Sequence, residues 1–256
     1  MEFENKVVAI TGAGTGIGKE TARALHAAGA SLILNGRRQD VLARTAHEID
    51  PRGERVTVVA GDIGRVDTSR ALMAAAEKRF GGLDVLINAA GIFKPLAFEA
   101  HSEEVFDAYV ATILKGTFFA SHAAVPLLAA RGGGAIVNVG SMWAMQAIGA
   151  TPSAAYSAAK AGVHALTRNL AIELAPKRIR VNTVAPAVVD TPVYESFVPR
   201  AELRATLASF DAFHPLGRIG RAADLAAAIL FFAGDQSTWI TGTVLPVDGG
   251  VMAGRN

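Results

Sequence analysis

The chain has 256 residues, 51% of them hydrophobic and 19% charged, and its 25 basic and 23 acidic residues leave a formal net charge of +2. This length suits one α/β domain with a core of ordinary size, and the near-neutral charge argues against nucleic acid or an anionic membrane as the main partner. The absence of cysteine excludes disulfides, thiolate metal sites and a cysteine nucleophile, and the six histidines show no close pair at metal-ligand spacing, so we predict no metal site.

The first ten residues, MEFENKVVAI, carry early charges and enter a strand pattern almost at once, unlike a signal peptide. No unbroken run of 18 apolar residues is present to span a bilayer. These patterns predict a cytoplasmic chain without a membrane segment.

Short apolar segments rich in Val and Ile alternate with longer segments of helical period. Strands are predicted at 6–10, 31–35, 55–60, 84–88, 134–139, 179–185 and 243–248. Helices are predicted at 17–28, 39–50, 67–80, 102–130, 154–175 and 222–233. This alternation predicts one Rossmann-type, doubly wound α/β domain over residues 1–256, with about seven parallel strands and helices on both faces. The stretch 190–215 breaks the pattern with three prolines and suits a lid over a site.

The first predicted strand runs directly into the glycine-rich segment TGAGTGIG, residues 11–18, before a helix. Glycines there let the backbone approach a pyrophosphate, and the following helix N-terminus offers free N–H groups to the phosphates. The spacing departs from G-x-G-x-x-G, since Ile17 is the sixth residue counted from Gly12, and an ordinary strand-to-helix turn is the alternative.

The second predicted strand ends at Asn35-Gly36-Arg37-Arg38. An acidic residue near this point would bind the 2′-hydroxyl of NAD, but two arginines, which bind phosphate through charge-assisted hydrogen bonds, are present instead. We therefore predict NADP(H) as the cofactor in preference to NAD(H). The alternative is that both are surface arginines at a helix start.

Tyr156 and Lys160 lie four residues apart near the start of the helix predicted at 154–175, and so on one face of it. A neighbouring ammonium favours the phenolate, and lowering the tyrosine pKa by about 3 would require about 4 kcal/mol. Ser141 follows the fifth strand, at the carboxyl end where open α/β sheets bind ligands.

In these segments the chain resembles the classical short-chain dehydrogenase/reductase family over nearly its whole length. The matching pieces are TGAGTGIG at 11–18, Asp62, NAAG at 88–91, Ser141, YSAAK at 156–160, PAVVDTP at 186–192 and the terminal TGTVLPVDGG. The resemblance implies a hydride transfer between a nicotinamide and a carbonyl or secondary alcohol of a small molecule.

The resemblance also implies a role for each matching residue. Tyr156 would be the general acid/base, Ser141 would hold the substrate oxygen, and Lys160 would bind the nicotinamide ribose and lower the tyrosine pKa. Asp62 would contact the adenine, Asn88 and Gly91 the adenosine side, and Thr191, beside the Val189 backbone, the carboxamide. The full set of predicted cofactor contacts is Gly12, Gly14, Thr15, Gly16, Ile17, Gly18, Arg37, Arg38, Asp62, Ile63, Asn88, Ala89, Gly91, Tyr156, Lys160, Pro186, Val189 and Thr191.

Three features depart from the family pattern. Ile113 stands where the family usually has an asparagine that holds a water next to the lysine, and in a regular helix Thr112 would lie about 100° away from it. The loop between Ser141 and Tyr156 is longer than is common. Ala187 replaces a glycine, which is tolerated if its φ is negative. We still expect activity, because Tyr156 keeps its lysine.

Substrate contacts are predicted from Met142, Trp143, Met145 and Gln146 and from the lid between Tyr194 and Phe213. Arg200 and Arg204 are candidate anchors for an acidic group, or solvated side chains on a lid helix. An apolar secondary alcohol, a cyclic ketone, a sugar and a 3-oxoacyl thioester all stay open as substrates.

The helices at 102–130 and 154–175 carry more apolar surface than one sheet-facing stripe requires, which favours a homo-oligomer, a tetramer or a dimer. Two other functions stay open. One is an NAD-dependent alcohol dehydrogenase that works mainly in oxidation, and the other is a catalytically silent nucleotide-binding subunit.

Overall fold

The computed structural model describes residues 1–149 and 151–254, and its centre is a parallel sheet flanked by helices. The strands are β1 Val7–Thr11, β2 Ser31–Gly36, β3 Val56–Ala60, β4 Val85–Asn88, β5 Gly134–Val139, β6 Ile179–Pro186, β7 Val189–Asp190, β8 Gly220–Arg221 and β9 Val244–Val247. The α-helices are α1 Gly16–Ala27, α2 Gln39–Ile49, α3 Val66–Phe80, α4 Glu103–Tyr109, α5 Gly116–Ala130, α6 Ala154–Leu174, α7 Leu203–Ala208 and α8 Ala222–Ala233. Residue 150, in the loop after Ser141, and residues 255–256 of the predicted domain lie outside the described residues.

The main sheet has seven strands in the order β3-β2-β1-β4-β5-β6-β9, and every neighbouring pair is parallel. This confirms the predicted Rossmann-type architecture. The strand order reverses between β1 and β4, and in such sheets the crevice beyond the carboxyl ends at this point is the place for a ligand.

Each face of the sheet packs against its own set of helices because side chains alternate along a strand. Val8 and Ile10 of β1 belong to a buried cluster with residues of α1, α2 and α8. Val7 and Ala9 belong to a second cluster with residues of α3, α5 and α6. Strands buried on both faces are the reason that the sequence shows continuous apolar runs.

Two elements differ from the sequence prediction. The helix predicted at 102–130 runs without a break but is π-helical over Val110–Lys115, between α4 and α5. The segment 191–219, which contains most of the predicted lid, holds α7 and short 3₁₀ turns, and it starts and ends at a small parallel sheet formed by β7 and β8. Two-residue strands are too short to leave a pattern in the sequence.

The continuous helix Glu103–Ala130 is long and apolar enough, by length and composition alone, to cross a membrane. No membrane segment was predicted from the sequence because only unbroken runs of 18 apolar residues were considered. Polar residues such as Lys115 interrupt the apolar residues of this helix. The helix packs through α5 against α3 and against β4 and β5, as the core-flanking helix of an α/β fold does.

Candidate active site

A cleft of 810 Å³ lies at the carboxyl ends of the strands, where the strand order reverses. One end is lined by the glycine-rich segment and by Arg37 and Arg38. The other end is lined by Trp143, Tyr156 and Lys160. The cleft therefore brings the predicted cofactor residues and two of the three predicted catalytic residues to one continuous surface.

The glycine-rich segment passes so close to the β4 loop that a side chain would not fit. Gly12 has φ of +67°, and a Cβ atom there would lie 2.7 Å from Ala90 Cα. Thr15 is the N-cap of α1, yet its side chain caps no N–H, and the first turn of α1 contains no acidic residue. The uncapped first turn, together with the positive end of the helix dipole, fits an anionic group such as a pyrophosphate.

At the end of β2, Arg37 and Arg38 are exposed and line the cleft. Asp62 and Ile63 line it from the β3 side, and the Asp62 carboxylate accepts a hydrogen bond of 2.9 Å from Gly64 N–H. Buried Asn35 supports this corner, because its side chain donates to the carbonyl oxygens of neighbouring residues on and after β3. Asn35 was not predicted as a supporting residue, although a polar residue within an apolar strand is a signal.

Asn88 is not placed where the resemblance implied. Its side chain is buried, donates to Ser121 Oγ at 3.1 Å and to Asn138 Oδ1 at 2.9 Å, and does not line the cleft. Its side chain therefore links β4 to α5 and β5 inside the core. The residues after it, Ala89 and Gly91, do line the cleft.

Ser141 lies just after β5, and Tyr156 and Lys160 lie in the first two turns of α6. Lys160 Nζ donates a 2.6 Å hydrogen bond to Val139 O and lies 5.8 Å from the centre of the Tyr156 ring. Ser141 Oγ accepts a hydrogen bond of 3.2 Å from Trp143 N–H and faces the Tyr156 phenol. The three side chains thus converge where β5 meets α6.

Burial raises the pKa of Tyr156 to about 12, while the hydrogen bond with Ser141 acts in the opposite direction. Burial also lowers the pKa of Lys160 to about 8. That Lys160 lowers the tyrosine pKa stays a prediction, since burial is the largest cause of both shifts. Loss of solvation disfavours both charged forms, the phenolate of Tyr156 and the ammonium of Lys160.

His164, one turn beyond Lys160 on α6, was missed by the sequence analysis. It is buried, and its Nε2 accepts a hydrogen bond of 3.3 Å from Ser141 N–H, which fixes the backbone of the serine. Burial, with the nearby charge of Lys160 as a second cause, lowers the pKa of His164 to about 4. Its spacing of four residues from Lys160 was the available signal.

This histidine should make the fold sensitive to acid. Its folded-state pKa lies below the ordinary value of about 6.5, so its contribution to stability is complete above that pH and is lost as the pH falls. Between pH 7 and pH 5 we expect the free energy of unfolding to fall by about 2 kcal/mol more in the native protein than in His164→Gln, which can still accept from Ser141 N–H. Urea unfolding at both pH values measures this, and equal losses in the two proteins would contradict it.

Ile113 and Thr112 lie in the π-helical stretch and point to different surroundings. Ile113 is buried against Ala155, Ala159 and Val163, whereas Thr112 lines the cleft. The two side chains would lie about 100° apart on a regular helix, and the π-helical turn alters this spacing. Thr112 therefore presents a polar side chain to the cleft, whereas Ile113 does not.

An asparagine at position 113 would place an amide in an apolar cluster. We expect Ile113→Asn to lower the free energy of unfolding by about 1–3 kcal/mol and not to raise turnover. Ile113→Val, which removes one methylene, is the control and should cost about 1 kcal/mol. Turnover raised by orders of magnitude in Ile113→Asn would instead show that proton relay is impaired in the native chain.

The remaining predicted residues fall into two groups. Pro186, Val189 and Thr191 line the cleft. Ala187 stands where the family has glycine, and it is not among the described residues with a positive φ, so an alanine is tolerated there. Among the predicted substrate contacts, only Trp143 and residues near Tyr194 line the cleft. The others, Met142, Met145, Gln146, Arg200 and Arg204, do not.

Among described residues 1–149 and 151–254, no group of three or more metal-ligating side chains that could hold a metal ion is found.

A family model described as enoyl-(acyl carrier protein) reductase matches residues 12–252. The chain is 39% identical to cis-4-hydroxycyclohexanecarboxylate dehydrogenase of Sinomonas cyclohexanicum, with 98% of both chains covered. It is 35% identical to a 3-oxoacyl-(acyl-carrier-protein) reductase of Thermotoga maritima, covering 98% of this chain and 100% of the relative. Among solved structures, a short-chain type dehydrogenase/reductase from Mycobacterium marinum superimposes with a TM-score of 0.91 at 32% identity, with 99% of this chain and 98% of that chain covered.

Proposed function

The chain belongs to the classical short-chain dehydrogenase/reductase family, and from that premise we propose that it is an NADP(H)-dependent oxidoreductase that reduces a ketone with Tyr156 as the proton donor. The family shows that it is an oxidoreductase acting on alcohol or carbonyl groups with a nicotinamide cofactor. The observation that carries the finer proposal is one cleft with two arginines at one end and Tyr156 and Lys160 at the other.

The cleft fits a dinucleotide. The first turn of α1, from Gly16 to Gly18, would hold the pyrophosphate, and Arg37 with Arg38 would hold a 2′-phosphate. When bound, the nicotinamide supplies the hydride that reduces the substrate carbon. Gly91 is close to Lys160, since a Cβ atom there would lie 3.8 Å from Lys160 Nζ, so both would contact the sugar next to that ring.

In reduction, Tyr156 gives the proton of its hydroxyl to the substrate oxygen as the carbonyl becomes an alcohol. A pKa of about 12 keeps this phenol protonated at neutral pH, as a general acid requires. The Ser141 hydroxyl donates a hydrogen bond to the same oxygen and stabilises its developing negative charge. Lys160, whose pKa is about 8, keeps most of its positive charge at neutral pH and favours the phenolate left behind.

We propose that the segment 191–219 is the lid over the substrate. We also propose that all 256 residues form one domain, and that the protein acts on small molecules in the cytoplasm. Residues Val193 to Ser196 of the segment line the cleft beside Tyr156. Side chains of the same segment pack with Trp143 and Met142 in a small apolar cluster. Closure over the substrate would exclude water from the proton transfer.

We also propose a homotetramer or homodimer. Phe118 on α5 and Ile172 on α6 are 44% and 77% exposed, and Phe106 on α4 is 47% exposed, so apolar side chains of three helices face away from the core. Burying them between subunits would be favourable. Light scattering at micromolar concentration should give the mass of a dimer or tetramer, and a monomer mass would contradict this.

A fluorescence titration of the purified protein with NADPH, and separately with NADH, tests the cofactor assignment. We expect a dissociation constant for NADPH at least tenfold below that for NADH. Tighter NADH binding would favour NAD-linked alcohol oxidation instead, and binding of neither would contradict the enzymatic function.

A further inference from the structure

Aromatic rings from four separate parts of the chain meet beside the catalytic tyrosine. The Phe93 ring lies 4.8 Å from the Tyr156 ring, 6.2 Å from the Trp143 ring and 5.7 Å from the Phe197 ring, centre to centre. Tyr194 extends the group, since its ring lies 5.7 Å from that of Phe197. We name these five residues the aromatic cage. All except Phe197 line the cleft directly.

The cage is apolar where it is enclosed. Val193 adds an aliphatic side chain, and apart from the catalytic Lys160 the charged residues that line the cleft nearby, Lys94 and Glu195, are exposed and of opposite sign. Aromatic faces attract flat or alicyclic rings, whereas the many hydroxyls of a sugar would lose hydrogen bonds with water and find few partners here. A long flexible chain would also lose more conformational freedom on binding than a ring.

The side chain of Trp143 carries a hydrogen-bond donor, its indole Nε1–H. Trp143 is 8% exposed, and among the described residues its indole Nε1–H is buried without an acceptor. The Trp143 backbone is held in place, because its N–H donates to Ser141 Oγ. By contrast, the hydroxyl of nearby Tyr109 is satisfied by the backbone of Lys94. A buried donor left without an acceptor is costly, so an oxygen brought by a ligand would be stabilised there.

From these contacts we propose that the cage selects a compact ring ketone or the corresponding secondary alcohol, alicyclic or aryl, with a second oxygen that accepts a hydrogen bond from Trp143 Nε1–H. The inference rests on the proposed function and narrows its substrate class. Trp143 is then a residue that determines specificity, Phe93 holds the ring, and Phe197 packs against Phe93.

Steady-state reduction with NADPH tests the ring and the second oxygen separately. We expect kcat/KM for cyclohexanone to exceed that for the open-chain 2-hexanone at least tenfold. The isosteric pair 4-methoxycyclohexanone and 4-ethylcyclohexanone isolates the oxygen. Trp143→Phe keeps an aromatic ring but removes the donor. It should lower the ratio of kcat/KM for 4-methoxycyclohexanone to kcat/KM for 4-ethylcyclohexanone about tenfold. Trp239→Phe is the matched control, because Trp239 is 99% exposed and outside this cleft, and it should leave the ratio unchanged.

A binding measurement keeps the inference independent of turnover. The chain has two tryptophans, so in Trp239→Phe the emission comes from Trp143 alone. Saturable quenching by 4-methoxycyclohexanone, and none by 2-hexanone, supports the cage. Equal turnover or equal quenching by ring and chain ketones, or an unchanged ratio in Trp143→Phe, overturns it while leaving the reductase function intact. Failure to bind NADPH contradicts the proposed function, and the quenching titration still decides whether the cage binds rings.

Discussion

Replacing Tyr156 by phenylalanine is expected to lower kcat for ketone reduction by a factor of about 10²–10⁴, the range over which a positioned proton donor contributes. The change removes one hydroxyl and keeps the ring that packs against Phe93. Binding of NADPH should stay within about threefold of the native value, because the arginines and the first turn of α1 are untouched. Stopped-flow reduction and a separate NADPH titration measure the two effects.

Tyr109→Phe is the matched control for this substitution. Its ring lies 6.1 Å from that of Tyr156, and its hydroxyl donates to Lys94 O at 2.9 Å. Loss of that contact, and of the hydrogen bond that the hydroxyl accepts from Lys94 N–H at 3.1 Å, should change turnover by less than about tenfold, since each contributes about 1 kcal/mol to stability and neither involves the reacting atoms. If Tyr109→Phe were the more damaging of the two, the proton donor would be assigned to the wrong tyrosine.

The second large effect is on the choice of cofactor. The double substitution Arg37→Ala/Arg38→Ala should raise the dissociation constant of NADPH about 100-fold, because hydrogen bonds to a charged group contribute about 1.5–3 kcal/mol each and both side chains are exposed. The dissociation constant of NADH, which lacks the 2′-phosphate, should change less than about threefold. Isothermal titration calorimetry with both nucleotides measures the difference.

Arg44→Ala serves as the control for charge alone. Arg44 lies on α2 near the same end of the cleft, but it is exposed, pairs with Asp40 at 3.2 Å and does not line the cleft. Long-range attraction to Arg44 is screened by salt, so its loss should leave NADPH binding within about threefold. An equal rise in the dissociation constants of NADPH and NADH in the double variant would show that Arg37 and Arg38 do not recognise the 2′-phosphate.

The sheet and its helices were predictable because strands buried on both faces and helices of regular period leave long, repeated signals. The strand predicted at 134–139 and the helix predicted at 222–233 have the observed bounds of β5 and α8. The placement of Tyr156 and Lys160 on one helix face was equally predictable, since residues four apart lie on the same face of a helix.

Other features depend on contacts that no local pattern records. Thr112 lines the cleft from within a π-helical stretch, whereas a periodicity argument assumes a regular helix. The pKa of Tyr156 depends on burial beneath residues from distant segments. Likewise, Asn88 resembles a ligand contact in the sequence, but its amide is used by Ser121 and Asn138 in the core.

The pairing of β7 with β8 joins the two ends of the segment 191–219 at its base, with Val189 beside Gly220. The length of a segment whose ends are fixed together has little effect on stability, since doubling a loop costs only about 0.6 kcal/mol. The part of the segment that follows Thr191, the predicted carboxamide contact, can therefore be exchanged for one of another length and composition while β6, α8 and the nucleotide end of the cleft stay intact. Proteins that descend from one such fold can acquire different substrates by replacing this single segment. A laboratory library of variants can change the same segment.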